Sequence, residues 1–394
     1  MNDRDHCIGY EEKENVMHPP RIVAIEWAVL EGQRPRTAGS NARLSAHGIG
    51  VRVPILRITT DDGTSGFGAC HAPSDQLAML LGMSVDDVFA RDQGVRAPWL
   101  AFEYPIWDLI GQRTRLPVYA LAAAIAGATV QEPFHAPCYD TSLYFDDLHL
   151  ASEQAAAELI AAEARDGYAR GHRAFKIKVG RGARHMPLEA GTQRDIAIVR
   201  AARAALGPEP PIMLDANNGY NLNLAKRVLA ETADCGIFWL EEPFHEDDIL
   251  YQDLRNWLAE AGLQTLIADG EGQADPRLVA WARAGLVDVI QYDIFSYGLT
   301  RWLTLGRELD AVGARSAPHH YGGHYGNYAA CHLAGAMQGF TYVEWDEAST
   351  PGLDTSSYAL HAGQVSVPSL PGFGLVLDEE LFQHAMTHTG ILYR

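Results

Sequence analysis

No apolar run in this chain approaches the roughly 20 residues that a membrane-crossing helix requires, which excludes a bilayer-embedded reading of the visible helical segments. Basic residues are also in short supply, with 31 Lys and Arg against 50 Asp and Glu and a formal charge of −19. Nucleic acid and anionic membrane surfaces are therefore excluded as partners, because both need clustered cations. Cysteine is sparse, odd in number and scattered (Cys7, Cys70, Cys138, Cys235 and Cys331), without a CxxC pair. That pattern supports neither a disulfide framework nor a zinc site, and a reducing cytoplasm is the expected location. Residues 1–14 are polar and charged with no apolar core of a leader, so residues 1–19 are expected to form a flexible tail. A dinucleotide fingerprint of the GxGxxG type is missing from the first strand of the repeating part.

What the chain does have is hydrophobic content of 47% over 394 residues, enough for a large core and two domains. Residues 20–135 read as an α+β domain. Arg21–Leu30 and Val51–Ile58 are strands, Asp61–Gly63 is a hairpin turn, and helical periodicity is expected over 84–90 and 99–113, with Pro105 interrupting the second stretch. Between the strands, residues 31–50 read as an unusually long loop, of the kind that often forms a lid. Arg34, Arg36, Arg43 and His47 are its candidate substrate contacts.

From Pro137 onward strands and helices alternate strictly, and eight strands are predicted up to Glu344. This is the pattern of a parallel barrel with an outer ring of helices, spanning residues 136–350. The last segment, 351–394, is rich in Pro and Gly near its start, lacks a clear eighth barrel helix, and is expected to fold back onto the first domain.

Three successive apolar strands end on acids: Pro211-Ile212-Met213-Leu214-Asp215, Gly236-Ile237-Phe238-Trp239-Leu240-Glu241, and Thr265-Leu266-Ile267-Ala268-Asp269-Gly270-Glu271. The intervals of 26 residues from Asp215 to Glu241 and 30 from Glu241 to Glu271 suit one strand, one helix and their connections. Taken singly, an acid at a strand end commonly caps the helix that follows. Taken together, three carboxylates on one rim repel each other unless a cation lies between them, and an all-oxygen donor set suits Mg2+. In the third strand Asp269 competes with Glu271 as the ligand.

Period-two alternation in Phe175-Lys176-Ile177-Lys178 sends both lysines to one side, where carboxylates would stabilise their charge or tune one of them to act as a base. Asp293 and His319 end neighbouring strands 26 residues apart. An Asp accepting from one imidazole nitrogen fixes the tautomer and leaves the other nitrogen for proton transfer, with His320 as the competing imidazole. Glu344 ends the eighth strand, where it can meet a substrate oxygen.

On Lys176-Ile177-Lys178, Asp215-Ala216-Asn217, Glu241-Glu242-Pro243, Gly270-Glu271, Asp293 with His319, and Glu344, the chain resembles the enolase superfamily. Within it, the likeness is to the mandelate racemase branch of the mandelate racemase and muconate lactonizing group, and it covers about residues 21–375. The resemblance implies an α/β fold with a modified (β/α)7β TIM barrel under an N-terminal α+β capping domain completed by the C-terminal segment. It implies one Mg2+ per subunit on Asp215, Glu241 and Glu271, and Lys178 as a base supported by Lys176. It also implies His319, activated by Asp293, as the second acid or base, with Asn217 and Glu344 as substrate contacts. A homo-oligomer is implied as well. Abstraction of a proton α to a carboxylate, with a metal-stabilised enolate, is the superfamily's known chemistry.

The polar segments Tyr139–Tyr144 and His319–Tyr325 fit a polyhydroxylated acid better than an aromatic one and add Tyr144 and His320, with His47, as candidate substrate contacts. The expected activity is dehydration of a sugar acid. A racemase or epimerase of a 2-hydroxy acid, or a non-catalytic sugar-acid-binding barrel, are the alternatives.

Overall fold

In the computed structural model, which describes residues 18–394, the chain begins with a strand longer than its hydrophobic pattern suggested. Ile22–Ala38 runs antiparallel to Gly48–Thr60, which in turn pairs with Ser65–Ala69. Residues 1–17, which carry most of the expected 1–19 tail and Cys7, lie outside the described residues. Ile25 from the first strand and Leu56 and Ile58 from the second share a face with Gly66 and Gly68 and look toward a helix, Glu103–Thr114, while Ala28, Leu30, Val53 and Ile55 are buried on the opposite face. That helix lies close to the sheet because Gly66 and Gly68 present no side chain to it. A Cβ on Gly66 would lie 2.3 Å from the Leu109 nitrogen, and one on Gly68 would lie 2.7 Å from the Tyr104 Cβ.

Three expectations change here. The long loop over 31–50 shrinks to the stretch between Ala38 and Gly48, because the first two strands continue pairing as far as Gln33 and Gly50, with a further pair at Ala38 and Gly48. Arg34 and Arg36 therefore belong to a strand. The helix over 84–90 is one turn, Val85–Val88, capped reciprocally by Ser84 and Asp87, and is followed by a short strand, Phe89–Ala90. Pro105 does not interrupt its helix, since it is the third residue of Glu103–Thr114, in the first turn, where no intrahelical N–H is lost.

The second unit is a barrel of eight parallel strands: His135–Leu143, Phe175–Lys178, Ile212–Asp215, Ile237–Glu241, Leu266–Asp269, Val289–Ile290, Arg315–Ser316 and Val343–Trp345. The first seven pair in chain order, the eighth pairs with the first, and an isolated bridge between Ser316 and Phe340, just before the eighth strand, closes the ring. Seven helices alternate with these strands, from Glu153–Arg170 to Gly326–Ala334. Among the described residues none takes the place of an eighth, because the chain leaves the last strand and turns back. Gln364–Ser366 pairs antiparallel with the start of the first barrel strand. The helix Glu379–Thr389 then packs on the first sheet, and Ile391–Tyr393 adds a fourth strand to it, antiparallel to Ile22–Ala38.

Inside the barrel, Tyr139, Ala174, Met213, Trp239, Ala268, Val289 and Ala317 form a closed apolar layer. One pleat further along, toward the C-terminal ends, four of these strands carry ionisable residues, Lys176, Asp215, Glu241 and His319. The layer is a dry floor on which the charged groups stand, and charges above such a floor interact more strongly than in water. Among the described residues no helix is long and apolar enough to cross a membrane.

Candidate metal and acid–base centre

Register brings the charged groups together. Lys178 lies beside Asp215 and Asp215 beside Glu241 across three adjacent parallel strands, so their side chains leave the sheet at one level on the same face. The next strand ends at Asp269, whose side chain does not join them. It accepts from the Tyr251 hydroxyl at 2.5 Å and the Gly270 amide at 2.8 Å, and burial raises it well above the usual carboxylate range. Gly270 has φ of +130°, a conformation that side chains disfavour, and the turn it makes brings Glu271 to the group in place of Asp269. Asp215, Glu241 and Glu271 each offer an oxygen, and these atoms lie within 4.8 Å of one another.

Two buried lysines partly offset the three acids. The Lys176 ammonium reaches Glu241 at 2.9 Å, Glu344 at 3.1 Å and Asp215 at 3.3 Å, while Lys178 pairs with Asp215 alone. Burial works against both charges, but the surrounding carboxylates, Glu241 foremost for Lys176 and Asp215 for Lys178, hold both lysines above their ordinary value. The acids respond unequally. Burial penalises Asp215, yet Lys178 and then Lys176 lower it to about 2, whereas burial and repulsion from Asp215 push Glu241 up to about 8. Adjacent Glu242 is pushed up to about 10 by burial and by Glu271. One oxygen of Glu271 is buried without a hydrogen-bond partner. An all-oxygen set whose repulsion the lysines relieve only in part, with one carboxylate oxygen that makes no hydrogen bond, fits a hard divalent cation. Mg2+ therefore fits the residues present.

The other side of the triad carries an imidazole. His319 Nδ1 lies 3.2 Å from Asp293, and its Nε2 lies 3.3 Å from the orphaned Glu271 oxygen. Asp293 is oriented in turn by the amides of Phe295 and Ser296 and is lowered, despite burial, chiefly by its bond to His319. Burial disfavours the imidazolium, but Glu271, Glu344 and Asp293 raise His319 to about 9. Glu344 accepts from the Thr141 hydroxyl at 2.7 Å, from Lys176, and from the amides of His320 and Tyr321 at 2.9 and 3.0 Å. Those donors outweigh its burial and keep it ionised.

The remaining candidates divide. Asn217 sits at the triad, its amide nitrogen donating to Glu242 at 3.0 Å and Glu271 at 3.2 Å while its oxygen is buried and unpartnered. Tyr144 lies under Lys178, whose ammonium is 5.3 Å from the ring centroid, and His47 packs edge-on against Tyr144 at 5.0 Å. His320 has no hydrogen bond to the triad. Its ring lies over Gly326, and both nitrogens are buried and unpartnered. Of the cap arginines, Arg34 is tied to Asp346, Arg36 to Asp146 and Glu163, and Arg43 to Glu242.

Four groups escaped the sequence reading. Trp239 and Gln291 donate to Glu241 at 3.1 and 2.9 Å, Glu242 joins Arg43, Asn217 and Asn218, and Tyr321 packs against both Tyr144 and His47. Trp239 was open to discovery, since it stands two residues before Glu241 on a strand and so on the same face.

The model of the family described as "Enolase C-terminal domain-like" matches residues 159–381. A solved galacturonate dehydratase from Geobacillus sp., complexed with D-galacturonate and 5-keto-4-deoxy-D-galacturonate, is 48% identical, with a TM-score of 0.91, 95% of this chain and 99% of that one being covered. A mandelate racemase/muconate lactonizing protein from Geobacillus sp. Y412MC10, complexed with magnesium and tartrate, is 49% identical at a TM-score of 0.92, covering 95% and 97%. Among curated relatives, D-galactarolactone cycloisomerase of Agrobacterium fabrum is 26% identical over 363 residues, covering 83% of this chain and 89% of its own.

Proposed function

Because this chain belongs to the enolase superfamily and, within it, to the mandelate racemase/muconate lactonizing family, we propose that it dehydrates a sugar acid, with D-galacturonate as the leading substrate. The observation that carries the reading is the placement of two proton-carrying groups on different sides of one acidic triad, Lys178 at Asp215 and His319 at Glu271.

Asp215, Glu241 and Glu271 would hold Mg2+, whose charge, when bound, makes a carboxylate's α-proton more acidic by stabilising the negative charge left behind. Lys178, whose raised proton affinity rests on Asp215 and would fall with that carboxylate engaged by a cation, takes that proton on Nζ as the free amine. Lys176, pinned between Glu241 and Glu344, keeps its own proton and holds the carboxylates in place. His319 carries its proton on Nε2, because Asp293 engages Nδ1, and donates it to the departing β-hydroxyl. The electron pair of the C–H bond becomes the new double bond, the C–O bond breaks, and water leaves. For a hexuronate open at C5, the α carbon is C5 and the leaving hydroxyl is on C4, and the enol formed tautomerises to a 5-keto-4-deoxy acid. That is the compound named with the Geobacillus galacturonate dehydratase.

In the same reading Asn217, with its unpartnered amide oxygen, Tyr144 and His47 contact substrate. Glu344, whose oxygens are already engaged by four donors, meets substrate only by exchanging one of them. His320 would reach it only by turning out from Gly326. Division of the chain at 20–135, 136–350 and 351–394, a cytoplasmic location for a protein whose four described cysteines are free and buried, and a homo-oligomeric state complete the proposal.

A racemase needs the same two groups, but it returns a proton to carbon, whereas the solved relative of known ligands holds a deoxy-keto product. A non-catalytic binding barrel has no use for two proton carriers. Incubation with Mg2+ and D-galacturonate in D2O, followed by proton NMR, separates the three. Loss of the C5 proton signal together with a 5-keto-4-deoxy product supports dehydration. Exchange at C5 without a keto acid would move the assignment to racemisation, and binding with neither change to a non-catalytic barrel.

A further inference from the structure

Beside Lys178 stands a wall of three aromatic rings that the proton chemistry does not use. His47 comes from the cap, Tyr144 follows the first barrel strand and Tyr321 follows the seventh. Their ring centroids lie 5.0 Å apart for His47 and Tyr144, 5.4 Å for His47 and Tyr321, and 4.9 Å for Tyr144 and Tyr321. Both the Tyr321 hydroxyl and the His47 Nε2 are buried without a hydrogen-bond partner. Burying such atoms unpaired is costly, and two of them on adjoining rings beside a reactive lysine mark a place where a ligand supplies the missing partners.

The charge around this wall restricts what that ligand end can be. Arg34 stacks on the Tyr321 ring, its guanidinium carbon 4.7 Å from the centroid, and both oxygens of buried Asp346 accept from it at 3.1 and 2.8 Å. A third N–H, on Nη1, donates to the Gly50 carbonyl at 3.2 Å. The other cations nearby are likewise matched, Arg36 by Asp146 and Glu163, Arg43 by Glu242, and Lys178 by Asp215. Among the described residues at this wall no cation is left for a second carboxylate. His47 does not supply one either, since burial, Lys178 and Arg34 lower it to about 4 and keep it neutral.

We propose that Tyr321 and His47 bind the uncharged end of the sugar acid, its hydroxyl or aldehyde oxygens, and thereby select acids with one carboxylate over those with two. A neutral imidazole nitrogen and a phenol can each donate or accept, which suits a sugar hydroxyl that does both. A second carboxylate would be desolvated there with no cation to meet it. Arg34 acts as a positioning residue, fixing the Tyr321 ring from its other face.

The inference rests on the dehydratase reading, and binding can be tested apart from turnover. The Mg2+-loaded Lys178→Ala protein is titrated calorimetrically with D-galacturonate and with galactarate, which carries a carboxylate where galacturonate has its aldehyde. The expected result is at least tenfold tighter binding of galacturonate. Adding Tyr321→Phe, which keeps the ring under Arg34, or His47→Gln is expected to weaken galacturonate about tenfold, the worth of one buried hydrogen bond, and to narrow the preference. A purely structural role would weaken both acids alike and leave their ratio unchanged, which would overturn the proposal, as would equal binding of the two acids by the Lys178→Ala protein. Discrimination in binding by a parent protein that turns over neither acid would overturn the dehydratase reading and leave the wall's selectivity standing. Failure of both acids to bind would overturn both.

Discussion

His319 owes its raised proton affinity to neighbours of different kinds. Asp293 is a fixed partner, whereas Glu271 belongs to the proposed metal site and loses most of its influence once a cation lies on it. In the metal-free protein the imidazole is therefore expected to titrate near 9, and Mg2+ is expected to lower that value while leaving it above the ordinary 6.5 because Asp293 remains. The linked stability follows the same sign. A raised folded-state value means that the contribution of imidazolium pairing is complete below about 6.5 and disappears as pH rises through about 9. Imidazole NMR resonances followed against pH with and without Mg2+ test this, and an unchanged midpoint on adding Mg2+ would refute it. At this scale the sequence was readable where chemistry and strand endings coincide. Asp215, Glu241, Lys176, Lys178, and the pair Asp293 with His319 all lie where alternation and spacing put them. It was not readable where a choice depended on one backbone angle. Asp269 and Glu271 both follow an apolar strand, and only the +130° φ of Gly270 separates the acid that meets Tyr251 from the acid that meets the triad.

That turn is a property of an element, the end of the fifth barrel strand, and can be tested as one. A Cβ at Gly270 would lie 3.1 Å from the Gln291 amide nitrogen and 3.2 Å from a Leu278 methyl, at a φ that side chains rarely adopt. Gly270→Ala is expected to cost about 1–3 kcal/mol in stability, as strained backbone does, and to weaken Mg2+ binding by moving Glu271. Urea unfolding and Mg2+ calorimetry should show both effects, and a variant with parental Mg2+ affinity would mean that the turn does not set the ligand. Elements of the cap were harder to read than those of the barrel. Barrel strands are short apolar segments closed by acids, whereas the extension of Ile22–Ala38 beyond Leu30 contains Arg34, Pro35 and Arg36 and looks like loop. Its strand form depends on distant partners. Arg34 is held by Asp346 and Arg36 by Asp146 and Glu163, contacts that exist only after the barrel has formed. Tertiary pairing overrode the local pattern there.

At the scale of the whole molecule, the chain's last residues return to the sheet where the first strand lies. Ile391–Tyr393 completes the sheet begun by Ile22–Ala38. The helix before it buries Phe382, and the Arg57 guanidinium lies 5.0 Å from that ring while also bonding Glu26 at 2.7 Å and Glu379 at 2.5 Å. Thr389 accepts from the Val29 amide at 3.0 Å. All three triad acids and both lysines, by contrast, stand on barrel strands or the turns just after them, well before this segment. Removing residues 379–394 should therefore separate two functions that the intact chain joins. The truncated protein is expected to retain Mg2+ binding, because no ligand or lysine is lost, while its first strand loses a partner and the side chains facing Phe382 become wet. Amide exchange should accelerate over 22–38 and stay slow in the barrel strands. Substrate affinity should fall with the cap, since His47 and Arg34 reach the barrel mouth from the loop and strand that the final segment steadies. Loss of Mg2+ binding in step with the faster exchange would show instead that the barrel cannot hold its acids without the completed cap.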